Sequence, residues 1–301
     1  MNPHIKDILN QLVVSVLKGV SRLPFPVMYG LSDFMSLVLQ YVVKYRKTVI
    51  LNNLRNAFPD KSEAEIKQIV RKFYVHFCDI TLETAKAWSM TAHDFEKRME
   101  LSGIEEVNRL GDQGISIIAL GMHFNNWEWS AYMQKYLKHK CLVVYNPVRN
   151  NDRLEKFLTE MRERWGADTI AVHKSARALM NFHQQEHPVF LGLVGDQRPP
   201  VITKFWTTFL NQEACFNSGP EKIARRTNLP VFLVVPEKLK RGHYRMHYVP
   251  LMMSPAEMSH EDIMLTYVRA MEKYIREAPE YYLWSHKRWK QKRPEDHPLY
   301  L

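Results

Sequence analysis

From residue 115 onward, short apolar runs alternate with stretches of helical spacing, and this alternation constrains the fold more than any other feature. The apolar runs predict strands at 115–120, 141–145, 169–172, 189–194, 231–235 and 244–249. The intervening stretches predict helices over about 126–138, 151–165, 174–186, 219–227 and 260–277. Such alternation is typical of α/β proteins. We therefore predict a mixed, mostly parallel sheet flanked by helices.

The first predicted strand leads into a histidine. Gly121 ends the apolar run, His123 follows it, and Glu128 comes five residues after His123, between two tryptophans. Residues five apart on a regular helix point about 140° away from each other, so the pair can meet only if His123 lies in the loop and Glu128 in the first helical turn. A histidine oriented by a carboxylate can act as a general base. The alternative without chemistry is that His123 caps the helix and Glu128 complements its dipole.

Other polar residues follow the predicted strands or begin the predicted helices. Asp196 and Gln197 come after the strand 189–194, and parallel strands would place them at the same edge as His123. Turn capping is the alternative explanation for both. Ser218 and Gly219 open the helix 219–227, with Ser218 as the predicted N-cap and backbone amides that point toward any nearby anion.

Arginines are concentrated after the second strand of the alternating region. Arg149 follows that strand, and the next predicted helix carries Arg153, Arg162 and Arg164. Most arginines on such a helix are solvated. Arg149 and Arg164 lie near turns at the ends of elements, where a guanidinium group could clamp a phosphate.

Composition narrows the function classes. The 42 basic and 32 acidic residues give a net charge of +10, which suits an anionic partner, either nucleic acid or an anionic membrane surface. The chain has no G-x-S-x-G, no Walker A loop, no G-x-G-x-x-G and no H-E-x-x-H, so covalent serine chemistry, nucleotide chemistry and a zincin site lose support. Its three cysteines show no C-x-x-C spacing and are expected to be reduced core residues.

The most apolar part of the chain is residues 11–43. Three charged residues interrupt it and two prolines break it, leaving uncharged pieces at 23–32 and 34–43. Since a transmembrane helix needs about 18 or more apolar residues, two short helices that dip into one leaflet fit better than a span. A buried helical hairpin is the alternative. We predict a membrane-associated segment at 1–45 and a second domain at 46–301. Within the second domain, an amphipathic helix is predicted from Ser62 to Ala87.

Five short motifs together carry a family resemblance. His123 to Glu128 form an H-x4-E motif, and further matches follow in order at 144–147, 195–197, 218–220 and 282–288. Over residues 12 to 292 the chain resembles the bacterial late acyltransferases of lipid A biosynthesis, which are related to the glycerolipid acyltransferases with their H-x4-D motif. One departure is Asn125 where the family has glycine; asparagine tolerates positive φ, so we expect the turn to survive.

The resemblance implies a reaction and its participants. An acyl chain would move from an acyl carrier protein or acyl-CoA to a hydroxyl of a lipid A precursor, at the cytoplasmic face of the inner membrane. His123 would be the base and Glu128 would hold its tautomer, with no metal or cofactor. The residues that would bind substrate are Asn126, Arg149, Arg164, Asp196, Gln197, Ser218 and Gly219.

The partners that the resemblance implies are the acyl donor, a phosphorylated glycolipid acceptor and the membrane, not nucleic acid. Two alternatives stay open at this point. The acceptor could instead be a lysophospholipid or an aminolipid. The protein could also be a basic membrane- or nucleic-acid-binding protein without catalysis, which would differ in how its binding depends on salt.

Overall fold

A seven-stranded sheet lies at the centre of the chain. The computed structural model describes residues 3–148, 151–184 and 187–301. The strands are β1 (Met99–Ser102), β2 (Ile117–Gly121), β3 (Lys140–Tyr145), β4 (Asp168–Ala171), β5 (Val189–Val194), β6 (Trp206–Phe209), β7 (Gln212–Cys215), β8 (Val231–Lys240), β9 (His243–Met252) and β10 (Leu299–Tyr300). Three of them, in the order β10-β6-β7, form a separate small sheet.

The central sheet has the strand order β1-β9-β8-β2-β5-β3-β4. Every neighbouring pair from β8 to β4 is parallel, β9 runs antiparallel to β8, and β1 is parallel to β9. The prediction of a mixed, mostly parallel sheet is therefore confirmed. The six predicted strands are all present, with β8 and β9 longer than predicted because they continue into a hairpin.

Ten α-helices surround the sheets in the described ranges. They are α1 (Pro3–Ser21), α2 (Phe25–Leu37), α3 (Lys47–Ala57), α4 (Glu63–Lys86), α5 (Ala92–Glu96), α6 (Ile104–Asp112), α7 (Asp152–Glu163), α8 (Ser175–Gln184), α9 (Gly219–Thr227) and α10 (His260–Glu277). The predicted helix at 126–138 is instead a series of 3₁₀ turns over Trp127–Tyr136. β1, α3, α5, α6 and the small sheet were not predicted from the sequence.

Alternating side chains along the strands build a core on each face of the central sheet. Ile118 and Leu120 of β2 pack into one core together with α8, α9, α10 and the first half of α4. Ile117 and Ala119 point to the opposite core, which the 3₁₀ turns, α6 and α7 cover. Both faces are thus buried, as expected for parallel strands.

The long helix α4 joins the N-terminal helices to the rest of the chain. It begins with the predicted capping box, in which Ser62 and Glu65 satisfy each other's backbone amides. Near its other end, two buried carboxylates accept hydrogen bonds from α2: Tyr29 donates to Glu83 at 2.7 Å and Ser32 donates to Asp79 at 2.7 Å. One side of α2 is therefore held by polar contacts inside the protein.

The other side of the N-terminal helices is apolar and exposed. The large apolar side chains exposed there are Ile8, Leu9, Leu12, Val13, Val16, Val27, Phe34, Leu37, Tyr41, Val42 and Val43. The helices thus have a packed side, as in a buried hairpin, and an open apolar side of the kind that marks a surface for contact with a membrane or another protein.

Within the described residues, no single helix has the length and apolar character needed to cross a membrane. Phe25–Val42 and Lys47–Ala57, which are bent by 89° at the break between them, meet that requirement only when they are taken together.

Substitution of Arg241 should destabilise the packing of α2 against α4. Its guanidinium hydrogen-bonds both oxygens of Asp79, and Asp79 has no exposed surface. Arg241→Met would leave the carboxylate with weaker partners, so we expect unfolding to become easier by about 1–3 kcal/mol. The measurement is urea unfolding of the detergent-solubilised protein.

Arg245→Met provides the matched control. Arg245 lies four residues away and also pairs with carboxylates, but its partners Glu100 and Glu237 are exposed. Exposed ion pairs contribute little to the free energy of unfolding, so the midpoint of urea unfolding should barely change. Equal effects of the two substitutions would contradict the importance that we assign to the buried Asp79.

Candidate active site

His123 and Asp196 meet at the carboxyl ends of adjacent strands. His123 lies two residues after β2 and Asp196 two residues after β5, and the register pairs Gly121 with Val194. One oxygen of Asp196, Oδ1, is 2.7 Å from Nδ1 of His123 and accepts the backbone amide of His123 at 3.1 Å. Because Nδ1 donates to this carboxylate, Nε2 is the nitrogen left to accept a proton.

The pair is electrostatically coupled. Burial alone lowers the pKa of His123, but the charge and hydrogen bond of Asp196 outweigh burial and raise this pKa above its usual value. Burial raises the pKa of Asp196, but the positive charge and hydrogen bonds of His123 bring it below the ordinary value. The side chain of His123 is 22% exposed and that of Asp196 only 1%, so the imidazole is accessible from outside and the carboxylate is not.

Glu128 is held by an arginine. Its two oxygens accept hydrogen bonds from Nε and Nη2 of Arg162 at 3.0 and 2.7 Å, and both side chains are 14% exposed. We expected Glu128 to hold the imidazole ring directly, but the carboxylate on Nδ1 is that of Asp196. The planar fork of an arginine matches a carboxylate with two bonds, which fixes Glu128 in this orientation. Glu128 still raises the pKa of His123 through its charge.

The loop that carries His123 is held by the C-terminal part of the chain. Phe124 forms a β-bridge with Tyr282, and the backbone amide of Leu283 donates to the carbonyl of His123 at 3.2 Å. Asn125 has a φ of +50°, as expected for a residue that replaces glycine in a left-handed turn. Its amide also donates to the carbonyl of Pro236 at 3.0 Å, an interaction that glycine lacks.

Asn126 lies beneath the loop and is 1% exposed. Its side-chain oxygen accepts the backbone amide of Trp129, and its nitrogen donates to Glu83 at 2.7 Å. Glu83 also accepts the hydroxyls of Tyr29 and Tyr244, each at 2.7 Å. Asn126 therefore fixes the loop from below and is not at the substrate-facing surface, although we predicted it among the substrate ligands.

A pocket opens beside His123 and extends along one face of the sheet. Its volume is about 320 Å³. The residues at its mouth are His123, Trp127, Glu128, Tyr145, Asn146, Arg162 and Gln197, and those on its apolar walls are Ala119, Cys141, Val143, Phe190, Gly192, Met246 and Tyr248. Polar groups at one end and an apolar interior are what an amphiphilic substrate requires.

The remaining predicted ligands lie in different places. Gln197 lines the pocket together with His123. The guanidinium of Arg164 instead donates to the backbone carbonyl of Trp88 at 2.7 Å, after the end of α4. Arg149 lies outside the described residues.

Ser218 and Gly219 begin α9, as predicted. Ser218 occupies the predicted N-cap position, but its side chain makes no capping hydrogen bond; the side chain of Asn217 accepts the amide of Gly219 at 3.0 Å instead. Gly219 lines a separate groove between α8 and α9.

The site also contains two arginines, Arg162 and Arg288, that were not predicted as site residues from the sequence. Arg162 follows Leu158 by four residues on α7, and this helical spacing turns it toward the pocket. Arg288 is 2% exposed, donates to the carbonyl of Cys215 at 2.7 Å, and lowers the pKa of Asp196 through its charge. The spacing from Leu158 could have indicated Arg162, whereas no local pattern indicated that Arg288 would be buried.

Comparison with known proteins identifies the class. The sequence matches the family described as bacterial lipid A biosynthesis acyltransferase over residues 3–291. It therefore belongs to that family and is an acyltransferase.

Individual relatives agree with the family assignment. The chain is 26% identical over 300 residues to the lipid A biosynthesis lauroyltransferase of Escherichia coli (strain K12), covering 98% of this chain and 95% of the relative. It is 23% identical over 282 residues to the lipid A biosynthesis palmitoleoyltransferase of the same organism, covering 93% and 90%. The 1-acyl-sn-glycerophosphate acyltransferase of Thermotoga maritima has 11% identity and a TM-score of 0.36 over 83% of this chain and 94% of that one, a likeness too weak to support a conclusion.

The role of Asp196 can be tested through the pH dependence of acyl transfer. A histidine base must be neutral, so kcat/KM should rise with pH through the raised pKa of His123. Asp196→Asn removes the charge that raises this pKa while burial still lowers it, so the acidic limb of the profile should move to lower pH. Turnover should also fall, by roughly 10²–10⁴, because the ring loses its fixed tautomer.

Asp168→Asn is the control for this experiment. Asp168 is half-exposed and pairs with Lys140, so its replacement should change neither the acidic limb of the pH profile nor the turnover. An acidic limb that stays in place in Asp196→Asn would rule out a direct influence of Asp196 on the base.

Proposed function

We propose that the protein transfers an acyl chain directly from an acyl thioester, carried by acyl carrier protein or CoA, to a hydroxyl of a lipid A precursor. The observation that carries this proposal is the position of His123. The imidazole lies at the mouth of an apolar pocket with Nδ1 held by Asp196, so Nε2 is available to a substrate hydroxyl. The names of the relatives and the family supply the lipid A precursor as acceptor.

The reaction needs one proton relay. Nε2 of His123 takes the hydroxyl proton as the oxygen attacks the thioester carbonyl. The tetrahedral intermediate collapses, the C–S bond breaks, and the imidazolium returns the proton to the leaving thiolate. Asp196 stabilises the imidazolium that forms between these steps. Glu128 and Arg162, which are bonded to each other beside the ring, form the adjoining wall of the site.

The cysteines do not favour an acyl-enzyme route. Burial raises the pKa of Cys78 and of Cys141 to about 12, so neither thiol ionises readily. Cys215 is buried and donates to Gln291 at 2.8 Å. Direct transfer from thioester to hydroxyl is therefore the simpler chemistry.

The apolar part of the pocket is our candidate for the acyl-chain site. It lies along the sheet face between β3, β5 and β9, with Gly192 in its wall. A side chain at this position would project into the space, because a β-carbon placed there makes only ordinary contacts of 3.6 Å or more. Gly192 thus leaves room that a longer chain can use.

We further propose that residues 1–45 attach the acyltransferase domain, 46–301, to the cytoplasmic face of the inner membrane. The exposed apolar face of α1 and α2 supplies the contact with lipid, and burial of each such side chain contributes about 1.5–3 kcal/mol. Lys44, Arg46 and Lys47 follow directly and suit anionic headgroups. In this arrangement the phosphorylated acceptor stays in the membrane, and Arg149 remains a predicted phosphate ligand.

His123→Ala tests the base. With purified protein in detergent micelles, a lipid A precursor and an acyl donor, we expect turnover to fall by about 10²–10⁴ while the circular dichroism spectrum is unchanged. Mass spectrometry of the lipid product gives the acceptor and separates lipid A precursor from lysophospholipid or aminolipid. His173→Ala, an exposed histidine after β4, should keep full activity. Undiminished transfer by His123→Ala would eliminate the mechanism.

Gly192→Leu tests the acyl-chain site. The added side chain would displace methylene groups of a long acyl chain, each worth about 0.8 kcal/mol, so kcat/KM for long-chain donors should fall roughly tenfold or more. With a four-carbon acyl donor, kcat/KM of the variant should equal that of the wild-type protein. This comparison also controls for damage to the fold. Equal loss with short and long donors would place the acyl chain elsewhere.

A further inference from the structure

A second groove lies between α8 and α9, on the sheet face opposite the acyl pocket. Its volume is about 780 Å³. Leu179, Ile223 and Leu229 form an apolar floor, and Met180, which is 48% exposed, stands beside it. The groove follows the direction of two helices, and this shape accommodates a third helix.

The rim of the groove is basic. Arg177, Lys222 and Arg226 line it, and all three are exposed. In the part of the chain that the structure describes, none of these three forms an ion pair. The described residues of α8 carry no carboxylate, and the single one on α9, Glu221, is 2% exposed and bonded to His260 at 2.7 Å. The surface therefore has positive charge that its own helices do not neutralise.

One end of the groove opens at the edge of the sheet that carries His123. Ser175 and Gly219, the first residues of α8 and α9, both line it. α8 follows β4, whose last residue, Ala171, pairs with Tyr145 at the mouth of the acyl pocket. A ligand seated between the two helices thus lies next to the entrance of the candidate active site.

The exposed apolar residues of α1 and α2 belong to a different part of the surface. Arg153 of α7 forms an ion pair with Asp7 of α1 at 2.6 Å, so α1 lies beside α7, which covers the face opposite α8 and α9. The basic groove is therefore separate from the helices that we assign to lipid contact.

We propose that this groove docks an acidic protein, namely the carrier that brings the acyl thioester. Carboxylates of a helix on the carrier meet Arg177, Lys222 and Arg226, while apolar side chains of the same helix cover the floor. The flexible arm that holds the thioester then reaches the pocket around the shared sheet edge. This inference rests on the proposed function and adds the surface at which a carrier-borne donor docks.

Charge reversal of the rim tests the docking. In the full-length protein with Arg177→Glu, Lys222→Glu and Arg226→Glu, we expect KM for acyl carrier protein to rise about tenfold or more, because like charges now face each other. kcat/KM for acyl-CoA should stay within about twofold, since its thioester needs no docking surface. A triple control with the same change in net charge, Lys67→Glu, Lys97→Glu and Lys273→Glu, should leave both donors unaffected.

Binding measurements make the test independent of turnover. Titration calorimetry with acyl carrier protein should show binding by the wild-type protein that weakens as salt is added, and loss of that binding in the rim variant but not in the control. An unchanged KM for acyl carrier protein would overturn the docking proposal, as would an equal loss with both donors. Loss of binding to vesicles of anionic phospholipid in the rim variant would instead assign the groove to the membrane.

The two proposals can fail separately. If the wild-type protein transfers an acyl chain from neither donor, the proposed function is refuted. Calorimetry then still shows whether the carrier protein binds to the groove. A wild-type protein that uses acyl-CoA and does not bind the carrier protein refutes the docking alone.

Discussion

The register between β2 and β5 is the constraint on which the candidate site depends. Because Gly121 is opposite Val194 and the strands are parallel, the residues two positions further on, His123 and Asp196, emerge at the same edge and the same height. The distance of 2.7 Å between them follows from backbone pairing along five residue pairs. A slip of one residue would turn alternate side chains to the other face and separate the imidazole from its carboxylate.

The second constraint is the pair of buried carboxylates on α4. Asp79 and Glu83 lie four residues apart, on one side of the helix, and both have no exposed surface. Glu83 binds α2 through Tyr29, β9 through Tyr244 and the histidine loop through Asn126. Burial raises the pKa of Glu83, and the tyrosine hydroxyls oppose that change. An unpaired buried carboxylate would be costly, so the three elements are held in one arrangement.

The sequence allowed the sheet and the position of His123 to be predicted, because apolar runs and helical spacing are local signals. It also pointed to Asp196, which follows a recognisable strand. It did not indicate which carboxylate would hold the imidazole, because Glu128 is near in sequence and Asp196 is near only in space. Glu128 pairs with Arg162 across 34 residues, and Arg288 is buried through a contact across 73 residues. Sequence periodicity reports only local structure and does not predict such tertiary contacts. Short strands such as β1 and β6 carry too few residues for a pattern.

The backbone contacts of the histidine loop also bear on how the protein is made. Phe124 pairs with Tyr282, and the carbonyl of His123 accepts the amide of Leu283. A chain leaving the ribosome has its N-terminal helices long before these partners exist, because domains fold from the N-terminus during synthesis. The apolar helices therefore emerge first, and the loop gains its fixed geometry only when Leu283 has been added. During translation, the exposed apolar helices are thus complete before the histidine loop is.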